Sequence, residues 1–170
     1  MNRLEHRIRR LGATDVDILR PVRLDALRLH PQAYGSSHEE ESLVPRDDLA
    51  RRLLLPPATM FGGFAGDTLA GITGLRVETR IKSRHKAHVF SVYVDAAHRR
   101  TGLGRALVET AIAHARDGGI RLLLLTVTVG NDAARQAYAG LGFRSYGIEQ
   151  RALLVNGVFC DTEYMALELD

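Results

Sequence analysis

The chain is 170 residues long, 45% hydrophobic and 25% charged, with a formal net charge of +3; that length suits one domain, 1–170, and that composition excludes a disordered or collagen-like chain. The opening MNRLEHRIRRLG carries charges where a signal peptide has an apolar core, and no run of about 18 apolar residues is present to cross a membrane, so a cytoplasmic protein is expected. The basic residues, nearly all Arg, are scattered among acidic ones rather than gathered in a patch, which argues against nucleic acid as a partner.

In chain order, Arg7 to Leu11 alternates as a first strand. Thr14 and Asp17 then stand at the spacing of a capping box, opening a helix from about Ala13 to Leu29 whose interior Pro21 predicts a kink. Residues 31–45, PQAYGSSHEEESLVP, have the punctuation of a loop or a short broken helix. A second helix follows from Arg46 to Leu55, ahead of Pro56 and Pro57. Two strands near 59–65 and 68–78 meet at Gly66-Asp67, a pair that tolerates the positive φ of a tight hairpin.

Ala87 to Val94 is β-branched and aromatic, a fourth strand. Leu103, Leu107, Val108, Ala111, Ile112 and Ala115 form the apolar stripe of a third helix, ended by Gly118-Gly119. Ile120 to Val129 is a nearly continuous apolar strand, as expected where both faces are covered, and NDAARQAYAGLGF supplies an N-cap, a short helix and a glycine stop. Strand, helix, strand in that order implies a parallel crossover. Asn156-Gly157 lies between two strand-like runs and signals a closing hairpin. The lone Cys160 has no disulfide partner and reads as buried packing; with His85, His98 and His114 lacking ligand spacing, no metal is expected.

The loop DAAHRRTGLG between the fourth strand and the third helix carries the chemistry. Where such a loop enters a helix, free backbone N–H groups and the positive end of the helix dipole converge on one point, and an anion such as phosphate fits there. Arg99, Arg100 and Arg105 add charge, while Gly102 and Gly104 let oxygens approach the backbone; a plain helix start with solvated arginines is the competing reading. A P-loop needs Lys and then Ser or Thr after its second glycine, but Arg105 and Ala106 follow Gly104. A dinucleotide site needs a third glycine where Leu107 stands.

A strand ending in VYV, then RRTGLG from Arg99 to Gly104, then a helix, resembles the acyl-coenzyme A binding motif of the GNAT superfamily of N-acetyltransferases. A second motif of that family follows at suitable intervals in Asn131, Tyr138 and the pair Gly142-Phe143. HPQAYGSSHEEE is similar to the family's substrate-side helical segment and ALLVNGVFCDTEYMALEL to its closing hairpin, so the resemblance covers most of the chain. Ala96 stands where members often have Pro, and Arg100 where Gly is common, departures that bear on loop stiffness rather than on the class of ligand. The resemblance implies an α/β (α+β) fold: a mixed, twisted, mostly antiparallel sheet of about seven strands, with flanking helices and a parallel crossover from the fourth strand through the third helix to the fifth.

It further implies acetyl-CoA as co-substrate and direct transfer of its acetyl group to a primary amine of a small molecule or peptide. On this reading the backbone of Val92, Tyr93 and Val94 pairs with the pantetheine arm where the strand splays from its neighbour. The backbone of Arg99, Arg100, Thr101, Gly102, Leu103, Gly104 and Arg105 holds the pyrophosphate. Asn131 and Tyr138 complete the cofactor side, with Tyr138 either protonating the departing thiolate or orienting the thioester.

An amine of pKa about 10.4 is only roughly one part in 2,500 neutral at pH 7, so a general base is expected. His88 is the candidate, at the position where histone-type members carry a carboxylate. Simple alternation puts it on one face with Phe90, Val92 and Val94, but the bulge common in this strand would break that parity, and a structural histidine is the alternative. Tyr34 lines the acceptor side by the same analogy, while Glu39, Glu40, Glu41, Glu78, Glu149 and Glu163 either face a cationic acceptor or are solvated surface. A non-catalytic acyl-CoA sensor is the alternative function. The family also suggests a homodimer through the closing strands, and leaves the acceptor open among polyamine, antibiotic, amino acid, peptide N-terminus and protein lysine.

Overall fold

The structure, a computed structural model, describes residues 6–169; the first five residues of the charged opening and Asp170 lie outside the described residues. Seven strands run as β1 (His6–Arg10), β2 (Ala58–Ala65), β3 (Thr68–Val77), β4 (Lys86–Val94), β5 (Leu122–Thr128), β6 (Arg144–Val155) and β7 (Val158–Glu168). Between them lie α1 (Val16–Leu29), α2 (His38–Ser42), α3 (Arg46–Leu54), α4 (Leu103–Asp117) and α5 (Asp132–Ala139). The sheet order is β1-β2-β3-β4-β5-β7-β6, with β4 and β5 parallel and the other pairs antiparallel. This is the mixed sheet the sequence implies. Its parallel crossover is made by the helix expected there, Leu103–Asp117, which is the fourth in order because residues 38–42 form a short helix of their own. Among the described residues no helix is long and apolar enough to cross a membrane.

The first helix starts differently from the expectation. Asp15, not Asp17, closes the cap: its Oδ2 accepts from Gly12 N at 2.7 Å over a short 3-10 turn, Ala13–Asp15, and it also takes two bonds from Arg9 at 2.8 and 2.9 Å. Asp17 is thereby free to pair with Arg46 at the start of α3, which ties the two helices together. The helix continues as α1 through Pro21, which sits on the exposed side.

Two apolar layers sandwich the sheet. Leu19, Leu49 and Leu53 of α1 and α3 pack on Met60, Phe64, Ile72 and Tyr93. On the other face Val108 and Ile112 of α4 meet Leu75, Val89, Leu123 and Phe143, while Leu103 and Leu107 meet Phe61 and Ala70. A Cβ at Gly63 would lie 2.5 Å from Leu103 Cδ1 and force that side chain to shift, so α4 rides close to the sheet at its first turn. The β6–β7 hairpin extends past this core, leaving Leu154, Val158 and Phe159 exposed; Cys160, opposite Leu153, is accordingly half-buried rather than a core residue.

Candidate active site

β4 and β5 pair at Lys86↔Leu122, Ala87↔Leu123 and His88↔Leu124, and then part. The cause lies in β4. Gly74 of β3 faces Phe90 and Ile72 faces Tyr93, so Ser91 and Val92 together oppose Thr73, and Ser91 takes a φ of 55°. An extra residue on one strand bends it and sharpens its twist. Beyond the bulge, the β4 backbone groups directed at β5 have no ladder to join, and polar backbone groups left this way are ready donors and acceptors for an incoming extended ligand.

A buried network fixes the bulge. Arg23 of α1 donates through Nη1 to Ser91 Oγ, and through Nε and Nη2 to the carboxylate of Glu41 on α2, the Nη2 bond being 2.9 Å. Arg23, Glu41 and Ser91 are 7%, 3% and 6% exposed. Tyr34, following the turn Pro31–Ala33, donates its hydroxyl to Val92 C=O at 2.9 Å, and burial raises its phenol pKa. Glu41 is therefore neither solvated nor aimed at a ligand. The sequence carried one signal for this network: Arg23 interrupts the buried stripe of α1 formed by Val16, Leu19, Ala26 and Leu27. Ser91 carried none, since VFSVYV reads as a regular strand.

The groove between the parted strands measures about 990 Å3 and is bounded by β4 from Val89 to Val94, β5 from Leu125, and the starts of α4 and α5. At its α4 end Gly102 has a φ of 89°, and a Cβ built there meets nothing within 4 Å. The first bond of α4 runs from Ala106 N to Gly102 C=O at 3.0 Å, so the N–H groups of Leu103, Gly104 and Arg105 are the unsatisfied donors of a helix start. Thr101 Oγ1 donates to His98 C=O at 2.6 Å, bracing the turn from inside. Arg99 folds over the groove's edge, bonding Val94 C=O at 3.1 Å and meeting His30 Nε2 at 2.9 Å. Burial and then the Arg99 charge lower the His30 pKa, so a neutral His30 ring accepts from Arg99. Arg105 is held to Glu109 at 2.8 Å, and Arg100 makes no side-chain hydrogen bond among the described residues.

At the other end, Asn131 Oδ1 caps α5 by accepting from Ala134 N at 3.3 Å, and Tyr138 of the same helix lines the groove. Burial alone pushes the Tyr138 phenol pKa up to about 12. Val92, Tyr93, Val94, Arg99, Arg100, Gly102, Gly104, Arg105, Asn131, Tyr138 and Tyr34 thus meet around one groove, with Thr101 and Leu103 holding its turn.

His88 is not brought to it. It sits at the paired end of β4, half-exposed, with Nε2 2.9 Å from Glu78 Oε1, and is absent from the groove's walls. The bulge also overturns the simple parity: His88 shares a sheet face with Phe90 and Tyr93, whereas Val92 and Val94 turn toward the α4 layer. Glu163 lies under α5, where hydrogen bonding from Ser145 and Arg135 lowers its pKa. Among the described residues no group of three or more His, Cys, Asp or Glu could hold a metal.

The profile of the acetyltransferase (GNAT) family matches residues 24–143. N-alpha-acetyltransferase RimI of Mycobacterium tuberculosis is 32% identical over 144 residues, covering 81% of this chain and 87% of that protein. Mycothiol acetyltransferase of Thermobispora bispora is 33% identical over 128 residues, 72% of this chain; the chain spans only 43% of the length of that relative. The solved structure of yncA from Salmonella typhimurium with its cofactor acetyl-CoA has the same fold, with a TM-score of 0.83 at 24% identity over 98% of this chain and 95% of that one.

Proposed function

The chain belongs to the acetyltransferase (GNAT) family, and from that premise we propose that it transfers the acetyl group of acetyl-CoA directly to a primary amine of a small molecule or peptide. The observation that carries this reading is the gap between β4 and β5, open along Val89 to Val94 and ending against the free N–H groups of α4. An extended arm bearing amides matches the first part, and a diphosphate matches the second. Acetyl-CoA would supply a thioester whose acetyl carbon the amine can attack.

Residue roles follow from position. The backbone of Val92 to Val94 pairs with the arm, Tyr34 keeping the Val92 carbonyl oriented. The turn from Arg99 to Arg105 receives the diphosphate, with Arg99 closing over it. When the new N–C bond forms and the C–S bond breaks, an ammonium acceptor loses two protons, one to the medium and one to the sulfur. Tyr138 donates the latter and recovers it from the nitrogen; with its pKa near 12 it stays protonated at every working pH.

Changing Tyr138 to Phe is therefore expected to lower kcat by ~10²-fold while coenzyme A affinity, read by calorimetry, is unaltered. The raised pKa gives the sign of the pH dependence. The donating form persists until pH rises toward 12, so wild-type kcat shows no alkaline fall below pH 10 from this group. An alkaline limb near pH 8 that the Phe variant lacks would assign the proton to a different residue. The whole reading is tested by thiol release with acetyl-CoA and an amine panel; tight coenzyme binding with transfer to no amine would make the chain an acyl-CoA sensor instead.

Two finer points belong to the same reading. Exposed Tyr146, Ile148, Leu154 and Phe159 on the closing hairpin support a homodimer formed through β6 and β7, and sedimentation giving a monomer at micromolar concentration would remove it. The cytoplasm, which keeps a lone thiol such as Cys160 reduced, is the compartment proposed.

A further inference from the structure

The acceptor side has its own chemistry; of the six carboxylates the sequence offers it, Glu39, Glu40 and Glu41 belong to α2, and the other three compete for it. Glu78 is taken by His88 at the closed end of β4, and Glu163 is turned under α5 to Arg135. Glu149 of β6 is the third. It lines a cavity of about 190 Å3 that shares Tyr34, Thr126 and Thr128 with the donor groove and is walled by Thr162 and Tyr164 on its far side.

The strand register explains the grouping. Glu149 faces Thr162, Thr162 faces Thr128, and Tyr164 faces Thr126, so all five side chains stand on one side of the sheet. After Glu149 the register of β6 slips until Leu153 meets Cys160, with Arg151 at a φ of 56°. That bulge carries Arg151 outward, its guanidinium 4.5 Å above the Phe159 ring, and leaves Ala152 and Leu153 as cavity wall. Glu149, exposed at the cavity's mouth, is consequently its charged side chain and faces the hydroxyls of Thr126, Thr162 and Tyr164, while those of Thr128 and Tyr34 are given to Gln32 C=O at 2.6 Å and Val92 C=O at 2.9 Å. The Tyr164 hydroxyl donates to Glu149 Oε2, which leaves Oε1 to receive a ligand.

We propose that Glu149, steadied by Tyr164, receives the acceptor's ammonium group, and that the acceptor is a small amine with a single positive charge and hydroxyl or amide groups beside it. This rests on the acetyl-transfer reading. A carboxylate pairs with one cation, so the second charge of a polyamine finds no second carboxylate in this cavity and gains nothing from it. A lysine side chain would lay methylenes against the Thr126 and Thr162 hydroxyls and leave them without partners, whereas Thr128 already bonds Gln32 C=O. A polar amine of a few atoms satisfies both walls. The ammonium proton passes to the Glu149 carboxylate and from there to water, freeing the nitrogen lone pair. The amide formed is neutral, so the ion pair that held the substrate does not hold the product.

The experiment is steady-state kinetics with acetyl-CoA and four probes: L-serinamide, D-glucosamine, spermidine and Nα-acetyl-L-lysinamide. Wild type is expected to use serinamide or glucosamine with kcat/KM roughly tenfold or more above spermidine and the lysine derivative. Glu149→Gln should lower kcat/KM for the preferred amine by about tenfold or more, with coenzyme A affinity by calorimetry unchanged and partial recovery in Glu149→Asp. Its kcat/KM should also climb with pH as the neutral amine accumulates, a slope that simple misfolding does not produce. Unchanged amine kinetics in Glu149→Gln, or preference for spermidine or the lysine derivative, would overturn this inference alone, whereas no transfer to any probe by an enzyme that binds coenzyme A would favour the acyl-CoA sensor and remove the acetyl-transfer reading with it. A wild type that fails to bind coenzyme A would remove the donor reading and this one together.

Discussion

Replacing Arg23 with Met is expected to destabilise the protein by about 3–5 kcal/mol, because the Glu41 carboxylate, 3% exposed, is left charged without its partner. At about 2–4 °C per kcal/mol for a chain of this size, the melting temperature falls by roughly 6–20 °C. The second half of the result is more informative. Arg23→Met combined with Glu41→Leu puts apolar volume where the ion pair stood, and most of the stability returns. Coenzyme affinity does not return with it, since Ser91 Oγ has lost the donor that holds the β4 bulge at its left-handed residue. Urea denaturation and calorimetry on the single and double variants separate the two effects. Recovery of both together would mean that the bulge persists without its anchor.

Substituting Gly102 with Asp is expected to weaken coenzyme A binding by ~10²-fold or more. A carboxylate within about 5 Å of a diphosphate is repelled by about 3 kcal/mol at an effective dielectric of 20, and it opposes the dipole of α4 as well. Gly102→Ala is the control. Its φ of 89° strains any residue with a Cβ, but the surrounding space is open, so Ala lowers stability by about 1–2 kcal/mol with little change in affinity. Equal coenzyme affinity in wild type and the Asp variant would sink the assignment of this turn to the diphosphate.

The parts of this fold legible in the sequence are those governed by neighbours in the chain. Gly66-Asp67 and Asn156-Gly157 turn the hairpins as their backbone preferences dictate, and Asn131 caps the helix it precedes. The RRTGLG turn leads from β4 into α4 where the sequence places it, and Gly102 takes a positive φ at the helix start. The Thr14–Asp17 cap failed because Arg9, from β1, claims Asp15 and fixes the start of the turn there. His88 stays outside the groove because it lies before the bulge, on the paired rungs of β4 and beside Glu78, whereas its expected parity with Val92 and Val94 was lost through a residue with no local signature. Ser91 takes its unusual φ under the hold of Arg23 and Glu41, 68 and 50 positions away, and the bulge that results re-sorts every side chain beyond it. Cys160 was misread because its hairpin outruns the layers that would bury it.

The short pairing of β4 with β5 has a mechanical consequence. Three rungs join one leaf of the sheet, β1 to β4, to the other, β5 to β6, and the apolar contacts of Val108 and Ile112 with Leu75, Val89 and Leu123 bind the leaves like a spine. A hinge at that spine would leave all three rungs intact. Amide protons of Ala87 and His88 then exchange with solvent at rates near those of global unfolding, while those facing the open edge exchange through small local openings.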